Sequence, residues 1–262
     1  MATVTTSKRK KSVFSPREIN DAFKVAQTDI HVYSKSVCLT DSKGYATPKN
    51  MNPAEIVVHA SEGFIPLWAK EVNLRWRFNR NSLTYFHNPE GAKNAIRELF
   101  AEALLKWGDA APIKFSEHED VWDFEIVIRH SDNCNNAGCT LASAFFPDSG
   151  RHELTIYPKM FTQSKKEQVD TFIHEIGHIF GLRHFFANIS ETRWASEIYG
   201  EHKPFSIMNY GHESELTASD KSDLKTLYQK VWNGELQHIN GTPIVQVIPY
   251  HRLLTMSQSI LI

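Results

Sequence analysis

The stretch from Ser164 to His184 constrains this chain more than any other. Ser164-Lys165-Lys166-Glu167 has the spacing of a capping box, so a helix is expected to start there. Val169, Phe172, Ile173, Ile176 and Phe180 recur at helical spacing and give it one apolar face. His174 and His178 are four residues apart, which puts both imidazoles on one side, about a turn apart. Gly181 ends the helix, because glycine accepts the left-handed conformation found at helix ends. Three residues later His184 can return to the same point.

Three neutral imidazoles with an open fourth position suit a catalytic zinc ion that keeps a water. Glu175 directly follows the first histidine, so it sits beside the metal line rather than on it. That is the place for a general base that takes a proton from water and passes it to a leaving amine. The expected cofactor is one catalytic Zn2+; Ca2+ stays an open possibility, with no specific motif to support it.

The flanking sequence reads as a mixed α/β domain. Val72, Leu74, Trp76 and Phe78 alternate as in a half-buried strand. Asn88-Pro89 opens a helix that carries Ile96, Leu99, Phe100, Ala103 and Trp107 and stops at Gly108. Strands are expected through Phe124, Ile126 and Ile128, over Leu141 to Phe146, and at Leu154 and Ile156. A last helix is expected from about Thr217, burying Leu224, Leu227, Tyr228 and Val231 before Gly234. The expectation is one twisted mixed sheet packed on two long helices, with a small C-terminal subdomain that ends in a helix.

His174 to His184 resembles the metzincin signature, His-Glu-x-x-His-x-x-Gly-x-x-His, and Ser206-Ile207-Met208-Asn209-Tyr210-Gly211 resembles the metzincin Met-turn. The similarity extends over about residues 70 to 230. The helix ending at Trp107, the strand through Ile126 and the run Leu141 to Pro147 look like matrixins. The resemblance implies a zincin-like α+β fold and a zinc metalloendopeptidase. It implies that His174, His178 and His184 bind the metal, that Glu175 is catalytic, and that Met208 forms an apolar floor below the histidines. It also implies that Leu141 to Phe146 is an exposed edge that pairs with a peptide substrate, with room above Ala142 and Ala144 on either side of Ser143. A hydrophobic specificity pocket is expected between His184 and Met208, where Phe185, Phe186, Trp194 and Tyr199 lie.

Some residues depart from the matrixin pattern. Tyr210, two residues after the Met, is a feature of astacins and serralysins, where that tyrosine can ligate zinc; here it is a candidate catalytic residue. His130-Ser131-Asp132 is like the start of a matrixin structural-zinc loop, but Ser143 and Ile156 stand where further histidines are expected, so no second zinc is expected.

The domain expectation is an N-terminal extension over 1–65 and a catalytic domain over 66–262, its upper subdomain running to about 184. The extension reads either as a propeptide or as a folded addition packed on the domain. Cys38 lacks the flanking residues of a matrixin cysteine switch. Cys134 and Cys139 are either a small disulfide loop or two free thiols. A net charge of −1 gives no argument for nucleic acid as a partner. No run is long and apolar enough to span a membrane. The partner is therefore a protein or peptide substrate, met by a monomer. The first thirty residues lack the apolar stretch of a secretory signal. A mature form or export by a signal-independent route is expected, with the cytoplasm as the alternative. Two rival functions remain at this level: a zinc-binding scaffold without turnover, and a hydrolase of small-molecule amides.

Overall fold

A computed structural model describes residues 12–14, 56–59, 63–135, 138–184, 196–199, 206–208 and 214–259. The Ser15-Pro16 helix start, Cys38, Phe185, Phe186, Trp194 and Tyr210 lie outside them.

The central sheet has five strands in the order β4-β3-β5-β9-β8. These are β3 (Asn73–Phe78), β4 (Lys114–Glu117), β5 (Phe124–Ile128), β8 (Ala142–Ser143) and β9 (His152–Ile156). All neighbours are parallel except β8, which runs antiparallel to β9 with Ala142 opposite Ile156. The alternation in β3 buries Leu74, Trp76 and Phe78 and leaves Asn73, Arg75 and Arg77 part-exposed on the other face.

After a single helical turn, α1 (Arg80–Leu83), two long helices pack on each other and complete the core. In α2 (Pro89–Trp107) Asn88 caps the start by accepting from the Gly91 N–H at 2.9 Å, and Pro89 occupies the first turn. Gly108 leaves the helix with φ 58°. In α3 (Lys165–Ile179) the Ser164 hydroxyl accepts from the Glu167 N–H at 3.2 Å. The expected apolar faces are the buried ones: Ile96, Leu99, Phe100, Ala103 and Trp107 from α2 meet Val169, Phe172, Ile173 and Ile176 from α3.

Two expectations need correction. The run Leu141 to Phe146 forms a strand only at Ala142–Ser143; it is the sheet edge, yet Ala142 and Ala144 lie in the hydrophobic core instead of below open space. And α4 (Ala218–Trp232), capped by a reciprocal Thr217–Asp220 box, is not the last element. It is followed by β11 (His238–Ile239), β12 (Thr242–Val247) and α5 (Tyr250–Ser259). β12 lies parallel to β2 (Ile65–Trp68), pairing Ile244 with Ile65, and β11 flanks β12. These segments escape a periodicity reading because β12, as long as β3, has no fully buried face, and its partner lies far back in the chain.

Two ribbons complete the fold. In β6 (Asn133–Asn135) and β7 (Gly138–Thr140), Cys134 faces Cys139 and the two form a disulfide, which settles the question the sequence leaves open. β1 (Ile56–His59) pairs antiparallel with β10 (Ser196–Tyr199).

Candidate metal centre and active site

The end of α3 builds the site from its own backbone. Phe180 is the last near-helical residue, and Gly181 takes φ +92°. The Gly181 N–H then donates to the His178 carbonyl at 2.8 Å, and the Leu182 N–H to the Gly177 carbonyl at 3.0 Å. This pair of bonds is a Schellman closure, which turns the chain back over the helix end. It delivers His184 to the two helical histidines.

The three rings converge. The Nε2 of His174 is 3.1 Å from that of His178 and 2.9 Å from that of His184. His178 and His184 are fully buried and His174 partly so. Among the described residues this is the one cluster of His, Cys, Asp or Glu side chains arranged to hold a metal.

The hydrogen bonds on the far side of two rings decide what the near side can do. His174 Nδ1 donates to the Ile207 carbonyl at 2.7 Å, and His178 Nδ1 donates to the Leu182 carbonyl at 2.7 Å. A carbonyl only accepts, so each Nδ1 carries the ring proton. In a neutral ring so held, Nε2 is the nitrogen left with the lone pair, and the Nε2 atoms of His174, His178 and His184 converge. One metal ion relieves all three at once. Nitrogens bound tetrahedrally at about 2.0–2.1 Å stand about 3.3 Å from one another, close to the spacing present here. The donor set therefore fits zinc, with main-chain carbonyls fixing the tautomers of its ligands.

Glu175 is buried, 2% exposed, in the turn between His174 and His178. Met208 is also buried, and its position relative to the helix is recorded by Gly177: a Cβ there would meet the Met208 Sδ at 2.5 Å and Cε at 3.3 Å. The methionine thus lies against the helix turn that joins the two histidines, where the floor is expected. The same turn supplies the Ile207 carbonyl that holds His174. The Met208 N–H donates to the Ser206 hydroxyl at 3.2 Å and tightens it.

The last carbonyls of α3 are held by side chains that the sequence reading passes over. Trp68 Nε1 donates to the Ile179 carbonyl at 2.6 Å, and the Tyr228 hydroxyl donates to the Phe180 carbonyl at 2.9 Å. The Trp68 N–H in turn donates to that hydroxyl, and burial pushes the Tyr228 pKa up, so it stays a donor. Trp107 Nε1 donates to the Ile173 carbonyl one residue before His174. Their sequence signal is weak: buried tryptophan and tyrosine need polar partners, but nothing in the sequence says which. Gly177 had a better signal, since a mid-helix glycine between two ligands calls for a packing reason.

The edge run reaches the centre at its far end. Phe146 sets its ring edge-on to His178 at 5.4 Å, and the buried Arg183 guanidinium lies 5.8 Å from the Phe146 ring. His130 stacks on Tyr85, and Asp132 accepts from the Lys159 N–H; these residues are engaged in packing and in holding the turn after β9.

Comparison with known proteins agrees with the geometry. The matrixin family model matches residues 67–229. Metalloendoproteinase 4-MMP of Arabidopsis thaliana is 28% identical over 158 residues, 52% of this chain and 45% of that one. Stromelysin-3 of Xenopus laevis is 31% identical over 166 residues, 58% of this chain and 32% of that one. The chain thus spans less than half the length of these curated relatives. The solved structure of myroilysin aligns at 16% identity with a TM-score of 0.41, over 66% of this chain and 98% of that one, a likeness too distant to carry weight.

Proposed function

Since the chain belongs to the matrixin family, we propose that it is a zinc-dependent endopeptidase that hydrolyses internal peptide bonds of proteins. The observation that carries this is the convergence of three histidine Nε2 atoms, two of the rings oriented by backbone carbonyls, beside a buried carboxylate. His174, His178 and His184 hold the metal. Zinc bound there would polarise the scissile carbonyl and make a water acidic enough to lose its proton near neutral pH. Glu175 takes that proton and returns it to the departing amine. Its burial keeps bulk water from competing for the transfer.

The substrate lies along the sheet edge at Ala142, Ser143 and Ala144. Because their side chains are buried, this run would recognise peptide through its backbone by strand addition, and side-chain selection falls to other parts of the cleft. Tyr210, two residues after Met208, supplies a hydroxyl to the oxyanion. Tyr210→Phe should then lower turnover about tenfold or more with little change in stability. Wild-type turnover in that variant would leave the tyrosine a packing residue.

The disulfide between Cys134 and Cys139 supports work outside the reducing cytosol, because such bonds persist in oxidising compartments. Among the described residues no helix is long and apolar enough to cross a membrane.

Digestion of a complex peptide library by the purified chain, with zinc removed by chelator and then restored, tests the assignment. Cleavage at internal bonds that vanishes and returns with zinc is expected. A zinc-loaded protein that leaves every peptide intact would refute it.

A further inference from the structure

The central sheet changes direction at β9, and a covalent bond sits beside the change. β5 lies parallel to one side of β9, and β8 lies antiparallel to the other. The chain from Arg129 to Leu141 must therefore cross the end of β9. Hydrogen bonds tie it to that end along the way. The Arg129 N–H donates to the Ile156 carbonyl at 2.8 Å, the Asp132 carboxylate accepts from the Lys159 N–H at 2.6 Å, and the Leu141 carbonyl accepts from the Tyr157 N–H at 2.9 Å. Between Asp132 and Leu141 the chain leaves the sheet as the ribbon of β6 and β7, and the Cys134–Cys139 disulfide joins its strands.

β8 is too short to place itself. It pairs with β9 through Ala142–Ile156 and Ser143–Thr155, whereas strands in globular proteins usually run to about five or six residues. Its line is set by what flanks it. On one side Phe146 meets His178 edge-on at 5.4 Å. On the other, the buried residues Cys139, Thr140 and Leu141 lead straight into it. They belong to or follow a ribbon whose register sets Asn133 opposite Thr140, Cys134 opposite Cys139 and Asn135 opposite Gly138. So short a two-stranded ribbon is marginal in water, and β6 is part-exposed and gives it little apolar cover. The cross-link removes most of its open forms and so keeps the start of β8 in one place.

We propose that the Cys134–Cys139 disulfide is a thiol-sensitive clamp on the substrate edge. Intact, it holds Ala142, Ser143 and Ala144 in line to take a peptide strand; once reduced, it releases them and weakens peptide binding while the zinc stays. This rests on the peptidase reading. The zinc ligands, and the Ile207 and Leu182 carbonyls that orient two of them, lie outside the clamped segment. The reductant is a dithiol. Its thiolate bonds to the sulfur of Cys134, on the part-exposed strand, the bond to Cys139 breaks, and Cys139 leaves as a thiolate that takes a proton. The second thiol of the reductant, having lost its proton, then displaces Cys134, which is protonated in turn. The protein gains two electrons and two protons, and the reductant is oxidised to its own disulfide.

Kinetics separate such a clamp from a general support of the fold. Strand addition makes the same backbone bonds to substrate in the ground state and in the transition state, so its loss raises KM and leaves kcat nearly unchanged. Loss of folded protein does the reverse: fewer active molecules lower kcat at the same KM. The full chain is assayed on a peptide it cleaves in the library, oxidised and after dithiothreitol. Cys134→Ser/Cys139→Ser is assayed in the same two buffers. Zinc content and amide hydrogen exchange over 138–146 are followed in each. Reduction should raise KM about tenfold, with kcat and zinc little changed, and lower the protection over 138–146. The double-serine variant has no bond to break, so it should show the raised KM in both buffers; this separates the bond from capture of zinc by the dithiol. Equal KM and protection in the oxidised and reduced chains overturn the proposal. So does a fall in kcat at fixed KM, which would make the bond a support of the whole fold. If the oxidised chain cleaves nothing, the peptidase reading fails, and hydrogen exchange still decides the clamp: protection lost on reduction supports it, and protection kept overturns it.

Discussion

The helix α3 and the last stretch of the chain, from β11 to α5, both serve the metal centre, but they are encoded in different ways. The signals that start, face and end α3 lie within about twenty residues: a capping serine, an apolar stripe, two histidines a turn apart and a glycine that closes the end. The later stretch has no such local logic. β12 depends on a parallel partner, β2, near the other end of the described chain. α5 is docked by a buried pair, with His251 Nδ1 2.9 Å from Asp123 Oδ2, and the His251 N–H also donates to Asp123. Chemistry is written locally here, and the support for it is written in contacts between distant segments.

If that division is right, damage to α3 should remove chemistry and leave the fold. His178→Ala has the largest expected effect. It deletes one of three nitrogen donors and the ring that donates to the Leu182 carbonyl. Bound zinc should drop from about one per chain to a small fraction, and cleavage should fall below detection. Metal analysis showing a full complement in this variant would remove the three-histidine site. Glu175→Gln comes next. It retains shape and zinc but cannot accept the proton, and turnover should fall at least about a hundredfold. Near-normal turnover in a zinc-loaded variant would show that another group serves as the base.

The same division explains what the sequence could and could not show. Elements with caps and a clear period, α2, α3, α4 and β3, fall where their residues predict. The metal ligands were readable because their spacing is a helix property. The carbonyls of Ile207 and Leu182, which fix the ligand tautomers, were not, because backbone atoms leave no mark in residue type. Trp68 and Tyr228 look like ordinary core residues, although they hold the end of α3. The run Leu141 to Phe146 misled on extent, because small and aromatic residues suit both a strand and a buried irregular segment, and only Ala142–Ser143 pairs.

Asp123→Ala tests the other side of the comparison. Asp123 is 2% exposed and accepts from the Arg75 N–H at 2.7 Å as well as from His251. Its removal strands these donors, and denaturant unfolding should show a loss of about 2–3 kcal/mol. Zinc content should be unchanged. If zinc affinity drops in step with stability, the C-terminal stretch and the metal centre are one cooperative unit, and the contrast drawn above is too sharp.

The smallest effect is the most informative about α3 itself. Gly177 sits mid-helix, where alanine is favoured over glycine by about 1 kcal/mol. The helix forgoes that gain, and the reason is Met208, whose Sδ would lie 2.5 Å from an added Cβ. Trp107 Cζ2 stands 3.5 Å from the same point, so the new methyl cannot simply lean the other way. Gly177→Ala must therefore displace the Met208 side chain, and its packing loss of about 1–3 kcal/mol outweighs the helical gain. The net should be a destabilisation of about 1 kcal/mol. In a Met208→Ala background the clash is gone, and the same glycine replacement should be neutral or stabilising by up to about 1 kcal/mol. The double-mutant cycle isolates the contact, because the two residues touch and should not add. Additive effects in that cycle would mean that Met208 does not rest on the turn between His174 and His178, and the floor of the metal site would have to be sought elsewhere.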